Sequence, residues 1–212
     1  RGLLLIDRSA SMSYGRRFGS KLDYVARLSA ALAYLMLSRG ESVGLATFDD
    51  DIDAWIPPRS HGRQLTHLID ALARLSPNGA GHPDTAFRQI ADRLGRRGLI
   101  IILSDFLVSL PTLRQGLARL RHHRHELILI QVLDRDELTF PFTTAHRFVG
   151  MEGERPALLE PATMRQAYLD RLANHQRLLA RLCRSMHAEL YTYRTDRLPI
   201  ESLTDMIRRR TS

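Results

Sequence analysis

The sequence predicts an α/β chain built on a doubly wound, mostly parallel sheet of about six strands with helices on both faces. Two observations carry this. Strand-like and helix-like segments alternate along the chain, and the best strands, Gly2 to Asp7 and Leu99 to Leu103, are apolar but for the closing Asp7, as strands covered on both faces are. At 212 residues and 24.2 kDa, the chain is expected to form one domain, 1–212.

Gly2-Leu-Leu-Leu-Ile-Asp7 is read as a buried parallel strand ending in a carboxylate, followed by a polar loop over 8–19. Leu22, Val25, Ala26, Ser29, Leu32, Ala33 and Met36 recur at helical spacing over 20–38, and Gly40 closes that helix. Ser42 to Phe48 and Asp53 to Ile56 are expected to pair as a hairpin turning at Asp49-Asp50-Asp51, with Pro57-Pro58 ending the pair. Helices follow over Gln64–Leu75 and Asp84–Arg96, the second with Asp84 as its N-cap. After the strand at Leu99, a helix is expected over Pro111–His122 and a strand over Leu127–Leu133. Residues 134–160 read as an irregular excursion, long for a connection in a compact domain. A long amphipathic helix (Pro161–Met186), a last strand (Glu189–Tyr193) and a closing helix (Ile200–Arg210) complete the chain.

Thirty-one basic against 23 acidic residues give a net charge of +8. Nucleic acid is nevertheless not the expected partner. The arginines are dispersed and no aromatic residues alternate with them. Lys21 is the one lysine and is expected at the surface where its helix starts, with an approach to an anionic ligand at the site as the alternative. Cys183 cannot form an internal disulfide and sits among Leu179, Leu182 and Met186, so it reads as core. His122, His123 and His125 read as an exposed helix end rather than zinc ligands, and Asp49, Asp50, Asp51 and Asp53 as a solvated turn rather than a calcium loop. No apolar run approaches the ~18–20 residues of a membrane helix and no signal peptide is visible, so a cytoplasmic location is expected. The chain opens at its first strand without Met and is read as a fragment lacking an upstream segment.

In doubly wound sheets, ligands bind beyond the carboxyl ends of the strands, where the strand order reverses. Two expected strands end at an aspartate, Asp7 and Asp105. After the first, Asp7, Ser9 and Ser11 place a carboxylate and two hydroxyls on alternate residues of one loop. These are hard oxygen donors suited to Mg²⁺, with Mn²⁺ or Ca²⁺ as alternatives. The plainer alternatives are a strand-end turn for Asp7, Ser9 and Ser11, and a helix cap for Asp105.

Asp-x-Ser-x-Ser after a first strand, with Asp at the end of a later one, resembles the metal-ion-dependent adhesion site of von Willebrand factor A domains. Lys21-Leu-Asp-Tyr, Ala31-Leu-Ala-Tyr-Leu, Val43-Gly-Leu, Arg97-Gly-Leu-Ile-Ile-Ile-Leu-Ser-Asp105, Asp136-Glu-Leu-Thr-Phe-Pro-Phe142 and Arg194-Thr-Asp196 follow in order. Together they resemble the bacterial domain of unknown function family fifty-eight. The resemblance implies a von Willebrand A-like fold with the first and fourth main strands adjacent. It also implies a metal site at Asp7, Ser9, Ser11 and Asp105, and a protein partner supplying an acidic residue. Members commonly sit beside genes for MoxR-type AAA+ ATPases. The adhesion site normally adds a threonine before the third main helix. The helix register puts that position near Gly81, so Thr85 enters as a ligand only through a small gap, which would bring in Thr85 or Asp84.

An interaction module without catalysis is therefore the expected function. A Mg²⁺-dependent phosphohydrolase is the alternative, but the acid/base aspartate such enzymes place two residues after the first one is Ser9 here. A basic nucleic-acid-binding domain is the third reading.

Overall fold

The computed structural model describes residues 1–15, 19–79, 83–95, 97–141, 146–148, 157–159 and 161–211. In chain order, β1 (Gly2–Asp7) leads through a single turn of 3-10 helix (Ala10–Ser13) to α1 (Lys21–Ser38). Then come β2 (Val43–Phe48), β3 (Ile52–Arg59), α2 (Gln64–Ala73), α3 (Asp84–Arg93), β4 (Leu99–Ser104), α4 (Leu110–His122) and β5 (Glu126–Leu133). The stretch read as irregular holds a short helix α5 (Arg135–Thr139) and two small strands, β6 (His146–Phe148) and β7 (Ala157–Leu159), paired antiparallel. The chain continues through α6 (Pro161–Ser185), β8 (Glu189–Arg194) and α7 (Pro199–Thr211).

The main sheet has six strands in the order β3-β2-β1-β4-β5-β8, parallel except for the β2–β3 hairpin. Alternating side chains of the apolar strands feed two cores. Leu4, Ile6, Ile101, Leu103, Ile128 and Ile130 pack beneath α1, α2 and α7. Leu3, Leu5, Ile100, Ile102, Leu127 and Leu129 pack on the other face with residues of α3, α4 and α6. Cys183 lies in that second core as expected, and burial pushes its thiol up to about 11. The chain leaves β1 towards β2 on one side and enters β4 on the other. The loops after β1 and β4 therefore diverge and open a crevice between them. Among the described residues, no helix is long and apolar enough to cross a membrane.

Three local expectations are corrected. β3 runs through Pro57-Pro58 instead of ending before them. It is an edge strand paired to β2 alone, where a missing N–H costs least. Asp84 is not the cap of α3. Pro83 occupies that boundary, with a φ of −74° close to the value its ring imposes, and Asp84 pairs instead with Arg119 of α4. His125 is not part of an exposed helix end. His122 and His123 are exposed, but Arg124 turns the chain with a φ of 60° and carries His125 inward, where Gly98 N donates to its Nδ1 at 3.2 Å.

Candidate functional site

The β1–β4 register sets Ile6 against Leu103, so the strand ends meet as Asp7 and Ser104. Ser104 Oγ donates to Asp7 Oδ2 and accepts from Phe106 N at 2.8 Å. Ser9 N donates to Asp7 Oδ1 at 2.8 Å. That Asx turn folds the loop back so that Ser9 Oγ lies 3.2 Å from Ser11 Oγ. A strand-end turn and a converging donor set are thus one and the same geometry. Asp105 accepts from Leu107 N at 3.0 Å through Oδ1, while α4 takes Ser109, not Asp105, as its cap residue. Phe106, between them, adopts a φ of 53°, unusual for a non-glycine residue. His175 Nε2 of α6 donates to its carbonyl at 2.7 Å.

Lys21 is not at the surface. It is 0% exposed, against 2% for Asp7 and 1% for Asp105. Its Nζ lies 2.7 Å from Asp105 Oδ2 and 2.7 Å from Glu137 Oε1. A capping box between Ser20 and Asp23 starts α1 at this residue, and Lys21 N donates to the Tyr14 carbonyl. A lysine in the first turn faces the positive end of the helix dipole, so the two carboxylates are what hold it inward. Glu137 is fixed in turn. Asp134 N donates to its Oε2, while Asp134 caps α5 and accepts from Thr195 Oγ1 beyond β8.

The electrostatics follow from burial. Desolvation, reinforced by the neighbouring Asp105 charge, pushes Asp7 up to about 6, although Ser104 and Ser9 donate to it. Burial alone would lower the Lys21 ammonium, but Asp105 and Glu137 more than offset it and keep it charged. Burial raises Glu137, with Lys21 working against the rise. Tyr168, whose ring lies 5.0 Å from that of Phe140, is pushed up to about 12 by burial and then by the Glu137 charge.

A second loop is pinned against this one. Asn78 N donates to the Arg8 carbonyl at 2.6 Å, and Ala10 N donates to the Gly79 carbonyl at 3.1 Å. Gly79 has a φ of 76°, and a Cβ there would stand 2.6 Å from Asp49 Cβ, so glycine is required. Arg8 reaches the other way, 2.5 Å from Asp53 Oδ2 and 3.5 Å from Asp49 Oδ2. The expected aspartate turn is there, with two of its four carboxylates held by Arg8. Gly81 lies outside the described residues. Thr85 sits half-buried in the first turn of α3, and Asp84 is committed to Arg119.

The structure therefore brings Asp7, Ser9, Ser11 and Asp105 to one crevice. It adds Ser104 and Glu137, to which the sequence assigned no part in a site, and Lys21, for which an approach to the site was only the alternative to a surface position. Among the described residues, no group of three or more His, Cys, Asp or Glu is placed to hold a metal ion. A cation here would rely on two carboxylates, hydroxyls and water.

The model of a family described as "Protein of unknown function DUF58" matches residues 1–178. The chain belongs to that family. Uncharacterized proteins of Mycobacterium tuberculosis and Mycobacterium bovis are each 29% identical to this DUF58 chain over 211 residues. The match covers 97% of the chain and 64% of each relative, so the chain spans a little under two thirds of their length. Among solved structures, it is similar to an aerotolerance-related membrane protein of Bacteroides fragilis (15% identity, TM-score 0.55, 96% and 94% of the two chains covered). It is also similar to the conserved hypothetical protein BatB of Bacteroides thetaiotaomicron (14%, 0.53, 98% and 98%). At these identities the likeness is one of fold. The DUF58 chain has a von Willebrand A-like α/β fold, with the first and fourth main strands adjacent as expected.

Proposed function

We propose that this chain is an interaction module that binds a protein partner through a hard divalent cation, Mg²⁺ first and Mn²⁺ or Ca²⁺ as alternatives. One observation carries the reading. Two buried carboxylates from adjacent strand ends share the crevice with two hydroxyls 3.2 Å apart. Two carboxylates there, Asp105 and Glu137, hold the single ammonium of Lys21, and Asp7 lies beside the Asp105 charge. The donors are all oxygen, which fits a cation that keeps several waters and takes few protein ligands.

Asp7, Ser9, Ser11 and Asp105 would hold the cation, with Thr85 the further candidate. A bound divalent cation supplies coordination positions at which a partner's carboxylate replaces water. The chain's own residues preset the donors. Ser104 and the Ser9 amide orient Asp7, and the Leu107 amide orients Asp105. The partner in this reading is a MoxR-type AAA+ ATPase offering an acidic side chain, and the net charge of +8 favours such an encounter at low salt.

The test is co-purification with that ATPase in Mg²⁺ and in EDTA, for the wild type and for Ser9→Ala. Association is expected in Mg²⁺ with the wild type alone. Association that survives both chelation and substitution overturns the reading.

A further inference from the structure

Lys21 is a cation already seated on one of the two carboxylates that the reading above assigns to a metal. Its position is costly: an ammonium with no exposed surface, in the first turn of a helix whose dipole opposes it. It has two acceptors at the same 2.7 Å, Asp105 on the crevice side and Glu137 on α5. A buried ammonium with one partner could not give it up without being stranded. With Glu137 held in place by the Asp134 amide, Lys21 can release Asp105 and remain paired.

We propose that Lys21 is a tethered rival of the divalent cation for Asp105. The ammonium holds Asp105 Oδ2 when no metal is bound, and a cation entering at Asp7, Ser9 and Ser11 gains Asp105 only by shifting Lys21 onto Glu137. This rests on the reading that the crevice takes a divalent cation. Its consequence is a site of deliberately low affinity. Repulsion from the ammonium weakens cation binding, and the carboxylate of a partner is needed to complete it.

The experiment titrates the chain with MnCl₂ by calorimetry. It compares the wild type, Lys21→Gln, and the double variant Lys21→Gln/Glu137→Gln, which leaves no stranded carboxylate on α5. Each is also made with Asp7→Ala. Removing the ammonium is expected to tighten Mn²⁺ binding on the order of tenfold, and Asp7→Ala is expected to abolish it. Equal or weaker binding in both Lys21 variants, with Asp7→Ala still abolishing it, overturns the rivalry and leaves the metal site standing. Binding that appears only once Lys21 is replaced upholds the rivalry and overturns metal loading of the wild type alone. Binding by none overturns both. If the variants fail to fold without metal, rescue by Mn²⁺ supports the rivalry, because a rival must be able to take the ammonium's place, and failure of rescue overturns it.

Discussion

Ser104 gives its hydroxyl hydrogen to Asp7, tying together the last residues of two adjacent parallel strands that lie 97 positions apart in the chain. The same oxygen accepts from Phe106 N, so one hydroxyl satisfies a buried carboxylate and a buried amide. Ser104→Ala is expected to destabilise the fold by about 1–3 kcal/mol, the cost of leaving buried polar groups unpaired. Urea denaturation should show the loss as a lower midpoint with an unchanged slope.

His125 makes stability fall with acidity. Burial holds its pKa below the ordinary 6.5, with His123 and Arg1 adding to the depression; the Arg121 guanidinium also sits on the His125 carbonyl. Between the folded value and 6.5 the unfolded chain binds the extra proton, so this contribution to stability declines as pH drops through that window and levels off below it. Asp7, raised to about 6, titrates in the same window with the opposite sign, so the His125 contribution is read as a difference. Urea midpoints measured from pH 7.5 to 5 should drop more, or rise less, in the wild type than in His125→Asn, which keeps an acceptor for Gly98 N.

Gly116 lets α3 and α4 approach each other. A methyl group there would stand 2.4 Å from Phe87 Cδ2, and Phe87 is fully buried. Gly116→Ala should raise intrinsic helix propensity yet lower stability by about 1–3 kcal/mol through overpacking. A gain in melting temperature would show that the Phe87 ring moves aside at little cost.

The frame of the fold was legible because its signals are local. Uniformly apolar strands, the helical spacing between them, and aspartates at Asp7 and Asp105 specify a doubly wound sheet and the end at which the proposed site lies. The burial of Lys21 and its two partners were not legible. A lysine at a helix start ordinarily reaches water, and its burial is decided by Asp105 and Glu137, which lie 84 and 116 positions away. Nor could Ser104 be singled out, since its role depends on the β1–β4 register. His125 was misread because a single left-handed residue, Arg124, reverses the direction that the helix pattern implies.

The pair Pro57-Pro58 has a consequence for how this molecule meets others. β3 forms one outer border of the sheet, and a border strand offers its free backbone groups to any extended segment that drifts alongside. Two successive residues without an N–H interrupt that offer near the end of β3, so a visiting strand cannot zip along the whole border. Stacking of copies border to border, the first step of a growing ribbon, is discouraged there. The proposed recognition site lies away from that border, at the carboxyl ends of the strands.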